Sequence, residues 1–426
     1  MKYSRLGEKI SSHSGIMQLM DDLGEAMTLN PHVKMLGGGN PAAIPELQKL
    51  WRDQTQAAMQ DGSFDRMLGN YDPPQGNPRF LSVLAEYLRE HCGWDVTPSN
   101  LAVTPGGQTA FFLLFNLLAG EMSDPADTTK RSLRKILLPI SPEYIGYADQ
   151  GLHADMFVSC RGKIDKLREH EFKYRVDFEA VDSAIAIHDI GAICVSRPTN
   201  PTGNVLTTNE VNRLAEIAHS REIPFIIDNA YGQPFPGVVF TDSQVAWNDD
   251  RVFTLSLSKL GLPGTRTGIV VASEEIATRI SQTMGVLGLA NTNVGQSLVM
   301  PLLEDGSLDR ICKETVRPFY ADKSKFARQQ IASEFGNRFE YGIHVSEGAF
   351  FLWLTFPRLS VPTMELYEEL KRRDVIVVPG EYFFFGLDDD WDHSRQCIRV
   401  SFALADQTVA EGIAEIADVV ESMQRR

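Results

Sequence analysis

Residues 252–272 read VFTLSLSKLGLPGTRTGIVVA. The run Val252–Leu257 is apolar and β-prone, and a second such run, Ile269–Ala272, closes the stretch. Between them lies a loop punctuated by Gly261, Pro263 and Gly264. Lys259 therefore stands just past the end of a buried strand, flanked by Ser256 and Ser258, with Arg266 seven residues on. An amine in that position can condense with an aldehyde, while serine and arginine grip a phosphate. The group such a loop suits is a phosphorylated aldehyde. A single lysine in a loop is more often plain surface, so the weight rests on the whole motif.

Working outward, Ile136–Ile140, Met156–Val158, Ala192–Val195 and Pro224–Ile227 are further short, non-alternating apolar runs. Strands of that kind belong in a sheet covered on both faces. Between two of them, Thr208–Arg221 carries a helical stripe of Val211, Leu214, Ile217 and Ala218, with Thr207 or Thr208 as its cap. Strand–helix alternation predicts an α/β fold with a mostly parallel central sheet and helices on both faces. Ligands of such sheets bind beyond the C-terminal ends of the strands. Near Asn291–Gly306 the pattern changes to helix-rich sequence with apolar runs at 350–354, 375–378 and 398–402, which predicts a second, smaller α+β domain.

Other chemistry-bearing residues fall at predicted strand ends. Asp228 follows the apolar run 224–227, and Tyr231 is three residues on. A carboxylate there can pair with a pyridinium nitrogen, although an Asp in that place is also a common helix N-cap. Arg197-Pro198-Thr199-Asn200-Pro201-Thr202-Gly203 follows the run 192–195 and makes a tight turn presenting Asn200. Gly106-Gly107-Gln108 opens the helix that holds the apolar run Phe111–Ala119, and a helix start with glycines is an anion site. Arg399 lies inside the strand-like run 397–402, where a charge needs a partner; a substrate carboxylate would supply one, the alternatives being an arginine on an edge strand or in a salt bridge.

Composition narrows the classes. The 426 residues exceed one simple core. With 41 basic and 56 acidic residues the net charge is −15, unsuited to general binding of nucleic acid or an anionic membrane. The five cysteines include no CxxC pair, so neither a disulfide framework nor a metal site is expected. The first fifteen residues lack an apolar h-region and no apolar stretch reaches the ~20 residues of a membrane span, so the expected location is the cytoplasm.

Taken in order, Gly-Gly-Gln, Asn-Pro-Thr-Gly, Asp-x-x-Tyr, Ser-x-Ser-Lys and the late arginine resemble the aminotransferases of PLP (pyridoxal 5′-phosphate) fold type I, over nearly the whole chain from Gly37 to Arg399. That resemblance implies PLP as cofactor and Lys259 as Schiff-base lysine and general base. It implies Asp228 as the partner of the pyridinium nitrogen, and Asn200 and Tyr231 on the phenolic oxygen. Ser256, Arg266, Gly107 and Gln108 match phosphate ligands, and Tyr144 the aromatic residue against the cofactor ring. Gly107 departs from the family pattern in lacking a hydroxyl, which throws weight onto Ser256, Arg266 and Thr109. Tyr71, in Asn70-Tyr71-Asp72-Pro73-Pro74-Gln75-Gly76, matches a tyrosine that reaches the neighbouring subunit's phosphate, so the resemblance implies a homodimer with shared sites. Arg399 matches the clamp on the substrate carboxylate, with Gly39 beside it. The family also implies that residues 46–295 form the large domain, and that 1–45 and 296–426 together form the small one.

The segments HSGI (13–16), MLGGGNPAAIPE (35–46), SPEYIGYAD (141–149), CVSRPTNPTGNV (194–205), DNAYGQPFPG (228–237) and SLSKLGLPGTRTG (256–268) resemble those family members that exchange an amino group between L-valine and pyruvate. Ile16 and Tyr144 are then candidates to line the side-chain pocket. A related aminotransferase for alanine, branched-chain or aromatic donors, or a PLP-dependent carbon–sulfur lyase on the same fold, would share the cofactor motifs. A PLP-binding regulator would need an appended DNA-binding domain, for which too few residues precede Met35.

Overall fold

The computed structural model describes residues 2–11, 17, 24, 32–124, 127–244 and 246–425. Its strands in chain order begin with β1 (Leu101–Thr104), β2 (Gly120–Asp124), β3 (Asp127–Ser141), β4 (Phe157–Arg161), β5 (Lys163–Arg168) and β6 (Glu171–Arg175). They continue with β7 (Ile190–Ser196), β8 (Phe225–Asp228), β9 (Arg251–Ser256) and β10 (Gly268–Val271). The last are β11 (Gly342–His344), β12 (Phe351–Thr355), β13 (Val378–Pro379) and β14 (Cys397–Ser401).

Eight of these form a first sheet in the order β1-β10-β9-β8-β7-β3-β2, with β4 also beside β3. The pairs β9–β8, β8–β7, β7–β3 and β3–β4 are parallel. β10 runs antiparallel to both its neighbours, as does β2 to β3. The α/β reading with a mostly parallel sheet holds. The non-alternating apolar runs have the predicted cause: along β7, Ala192 and Cys194 enter one core while Ile193 and Val195 enter another on the opposite face. Helix Thr208–Ser220 begins at Thr207, whose hydroxyl accepts from Glu210 N while the Glu210 carboxylate accepts from Thr207 N, closing a capping box.

The second sheet runs β13-β14-β12-β11-β6-β5. Its β5–β6 hairpin lies within the 46–295 span expected for the large domain, yet pairs with β11 through β6. The expected boundary at 295/296 falls inside helix Val294–Glu304, where Gln296 accepts from Asn77 N at 2.9 Å and Glu304 pairs with Arg79 at 2.7 Å. From the other end of the chain, Lys34 bridges Val375, and Leu36 O accepts from Ser401 N at 2.7 Å. That anchorage delivers Gly37–Asn40 to the cleft between the sheets. No described helix is long and apolar enough to cross a membrane.

Candidate active site

A cavity of about 240 Å³ opens at the C-terminal ends of β7, β8 and β9. Gly37, Gly39, Gly107, Gln108, Tyr144, Asn200, Asp228, Tyr231, Ser256, Lys259, Arg266 and Arg399 all line it. Twelve residues spread over more than 360 positions thus converge: Asn200, Asp228 and Lys259 lie at or just past the ends of β7, β8 and β9, which end at the same edge of the first sheet, and Arg399 comes from within β14 of the second.

Lys259 sits on the short turn Ser258–Leu260 directly after β9. Its Nζ donates to Gly39 O at 2.8 Å and lies 5.2 Å from the Tyr231 ring and 5.3 Å from the Phe350 ring. Burial, then the positive charge of Arg399, bring the amine down to about 8, with Asp228 opposing the shift. Asp228 ends β8 and is buried. Its Oδ2 accepts from Tyr147 Oη at 2.6 Å, and its Oδ1 from Ala230 N at 3.0 Å and Thr254 Oγ1 at 3.2 Å. Burial raises this carboxyl, and those three donors pull it back towards the ionised form.

Arg399 lies in the middle of the second sheet, between Trp353 on β12 and Val378 on β13, which rules out the edge-strand alternative. Its Nη1 donates to Asn200 Oδ1 and its Nη2 to Gly37 O, both at 2.7 Å. Its guanidinium carbon stands 4.2 Å from the Phe351 ring and its Nε has no partner. Burial lowers it to about 10, so it remains a cation at neutral pH, without a carboxylate partner among the described residues.

An anion cradle forms the far end of the cavity. Helix Gly107–Leu118 starts without a side-chain cap, leaving backbone N–H groups open. Gly106 has φ +88°, and a Cβ there would stand 2.3 Å from Arg266 Nη2, so only glycine lets the arginine close over the helix start. Arg266 reaches Pro105 O at 3.5 Å, and Ser256 Oγ accepts from Ser258 N at 3.2 Å. The Gln108 and Thr109 side chains are turned elsewhere, to Gly146 O at 2.9 Å and Pro105 O at 3.3 Å, so their backbone N–H groups are what they offer an anion.

The Tyr144 ring lies over Gly146, where a Cβ would be 2.3 Å from it. Sequence reasoning missed Tyr147 and Glu143 on the same turn, and Thr254, which faces Asp228 across the β8–β9 pair. For Thr254 a signal existed: strand alternation puts it on the same side as Ser256. Tyr71 is 84% exposed and outside this cavity. Ile16 lies outside the described residues.

Comparison with known proteins gives four findings. The family model for aminotransferase class I and II matches residues 143–416. The valine–pyruvate aminotransferase of Escherichia coli (strain K12) is 43% identical over 425 residues, covering 99% of this chain and 98% of that protein. The crystal structure of valine-pyruvate aminotransferase AvtA from Salmonella typhimurium LT2 superposes with a TM-score of 0.87 at 41% identity, covering 97% of this chain and all of that one. An aspartate aminotransferase variant from Thermus thermophilus superposes at 0.77 with 20% identity over 98% of this chain and 100% of that one, a likeness of fold.

Proposed function

The chain belongs to the class I and II aminotransferases, and from that premise we propose that it moves an amino group between L-valine and pyruvate, giving 2-oxoisovalerate and L-alanine, with PLP as cofactor. The observation that carries the reading is the convergence of Lys259, Asp228 and a buried Arg399, which has no carboxylate partner among the described residues, on one cavity that ends in an anion cradle. The 43% identity to an enzyme of that name supports the substrate pair.

The residues fit PLP. The helix start at Gly107, with Ser256 and Arg266, would hold its phosphate; Asp228 its ring nitrogen; Asn200 and Tyr231 its phenolic oxygen; and Tyr144 one face of the ring. The bound cofactor supplies a conjugated ring that accepts the electron pair released at the substrate α-carbon. Asp228, whose carboxylate oxygens are held by three donors, would pair with the ring nitrogen and favour its protonated form. Arg399 binds the α-carboxylate through its guanidinium, and Asn200 fixes the guanidinium plane. Lys259 Nζ, brought down to about 8 by burial, is the base placed to take the substrate's α-proton and to hand it back. The same groups serve pyruvate in the reverse half, so ping-pong kinetics follow.

Among the described residues, Lys259, Arg266 and Arg399 are the cations lining the cavity, and each has a task. None is left for a distal carboxylate, which favours an apolar side chain such as that of valine. Discrimination among apolar donors is modest, since one methylene is worth only ~1–3 kcal/mol. The test is kcat/KM for valine, alanine, aspartate and cystathionine with pyruvate as acceptor. Valine well above aspartate supports the reading, and release of ammonia from cystathionine without an acceptor overturns it. A Lys259→Ala protein with near-normal turnover would also overturn it.

We further propose a cytoplasmic homodimer in which Tyr71 completes the partner's phosphate site. Tyr71, Leu68, Val286, Leu287 and Leu289 are 84, 61, 86, 59 and 63% exposed. Leu68 ends helix Ser63–Gly69 and Val286 and Leu287 end helix Glu274–Gly288, and the segments that follow these helices are tied together by Asn293 Nδ2 to Asn70 O at 3.0 Å and Asn291 Nδ2 to Pro74 O at 2.5 Å. An apolar patch of this kind favours association.

A further inference from the structure

Glu143 has no exposed surface and forms no ion pair with a cation among the described residues. A buried carboxyl without a counter-charge is costly unless its oxygens are fully hydrogen-bonded. Here they are. Oε2 accepts from Ser196 N at 2.9 Å, and Oε1 from Tyr144 N at 2.9 Å and from the Ser196 hydroxyl. The Glu143 N–H donates to Phe383 O at 2.9 Å, and the Phe383 ring stands 5.4 Å from the Arg399 guanidinium carbon. Ser196 ends β7, lines the cavity and faces Asp228 in the β7–β8 register. One carboxyl group therefore joins the turn that carries the Tyr144 ring and the Tyr147 donor to the strand end beside Asp228.

We propose that Glu143 is a positioning residue for transamination: its carboxyl fixes the Tyr144–Tyr147 turn against the end of β7, and so sets the two cavity walls between which the cofactor ring is held. The proposal rests on the PLP reading above. Two backbone N–H groups meet two different oxygens of one side chain, a demand that glutamine, with one oxygen and one NH2, cannot meet. Burial pushes the carboxyl up to about 8, and the Ser196 and Tyr144 donors oppose that shift.

The test compares Glu143→Gln and Ser196→Ala with the wild-type holoenzyme by kcat and KM for valine, by visible circular dichroism of the bound cofactor, and by melting of the apoprotein. Leaving one N–H unpaired beside the ring predicts that E143Q loses about tenfold in kcat while KM stays within about threefold, because Arg399 is untouched. Its cofactor dichroism changes as well. S196A removes one of the three donors and keeps both backbone bonds, so it shifts kcat by about threefold with a dichroism change of the same sign. If E143Q does not fold, S196A decides alone. Wild-type kcat and dichroism in the folded variants, or a lower melting temperature with both unchanged, overturns the proposal. A wild-type protein that holds no PLP would sink the functional reading and this proposal together. Variants that match an active, PLP-bearing wild type would sink Glu143 alone.

Discussion

Lys259 is surrounded by influences that work against its own proton. Burial, Arg399 and Arg266 depress the amine to about 8 from an ordinary 10.5, with Asp228 pulling the other way. Below pH 8 the folded and unfolded apoprotein both carry the proton. Between about 8 and 10.5 the unfolded chain binds more protons, so this lysine makes stability rise with pH in that window. Denaturation of the apoprotein at pH 8 and pH 10 is therefore expected to show a gain for wild type over Lys259→Met; equal changes in both would contradict the assignment. Arg399 has a different signature. Replacing it by alanine removes a charged, paired grip on the carboxylate, worth about 1.5–3 kcal/mol, so KM for valine should rise roughly 10- to 100-fold. Lys259, Asp228, Asn200 and Arg399 were legible in the sequence because each stands in or just after an apolar strand. Tyr147 and Glu143 were not. They act through burial and through partners 81 and 53 residues away, Asp228 and Ser196, and nothing local announces those partners.

At the scale of elements, the anion cradle depends on one glycine. Gly106 is held at φ +88° with Arg266 2.3 Å from the place its Cβ would occupy. Gly106→Ala must strain the backbone or displace the guanidinium, at a cost of order 1–3 kcal/mol. Its PLP dissociation constant is expected to rise about tenfold or more, measured by equilibrium dialysis, with Asp228 and Lys259 still in place. Unchanged affinity would mean that the phosphate binds elsewhere. Helix Thr208–Ser220 could be read from sequence because its capping box and apolar stripe are both local. The reversed direction of β10 could not, since a four-residue apolar run carries no mark of its orientation. The hairpin β5–β6 was missed for a plainer reason: β5 is mostly exposed and its residues, KIDKLR, have no apolar run to reveal a strand.

At the scale of the whole molecule, the cleft needs both sheets. The first supplies Lys259, Asp228 and the cradle, and the second supplies Arg399, with Gly37–Asn40 lying between them. Helix Val294–Glu304, which spans the expected 295/296 limit, is tied to Asn77 and Arg79, partners 219 and 225 positions away that no local pattern announces. The exposed Tyr71 belongs to this scale as well. Sedimentation should give a dimer for wild type and for Tyr71→Ala, with PLP affinity reduced in the variant; a monomer with full affinity would contradict the shared site. The central claim is tested most directly by the visible absorbance of the purified, PLP-loaded protein before and after L-valine is added without an oxo acid. The account predicts a yellow band that fades with valine and returns with pyruvate. A yellow band indifferent to valine would contradict it.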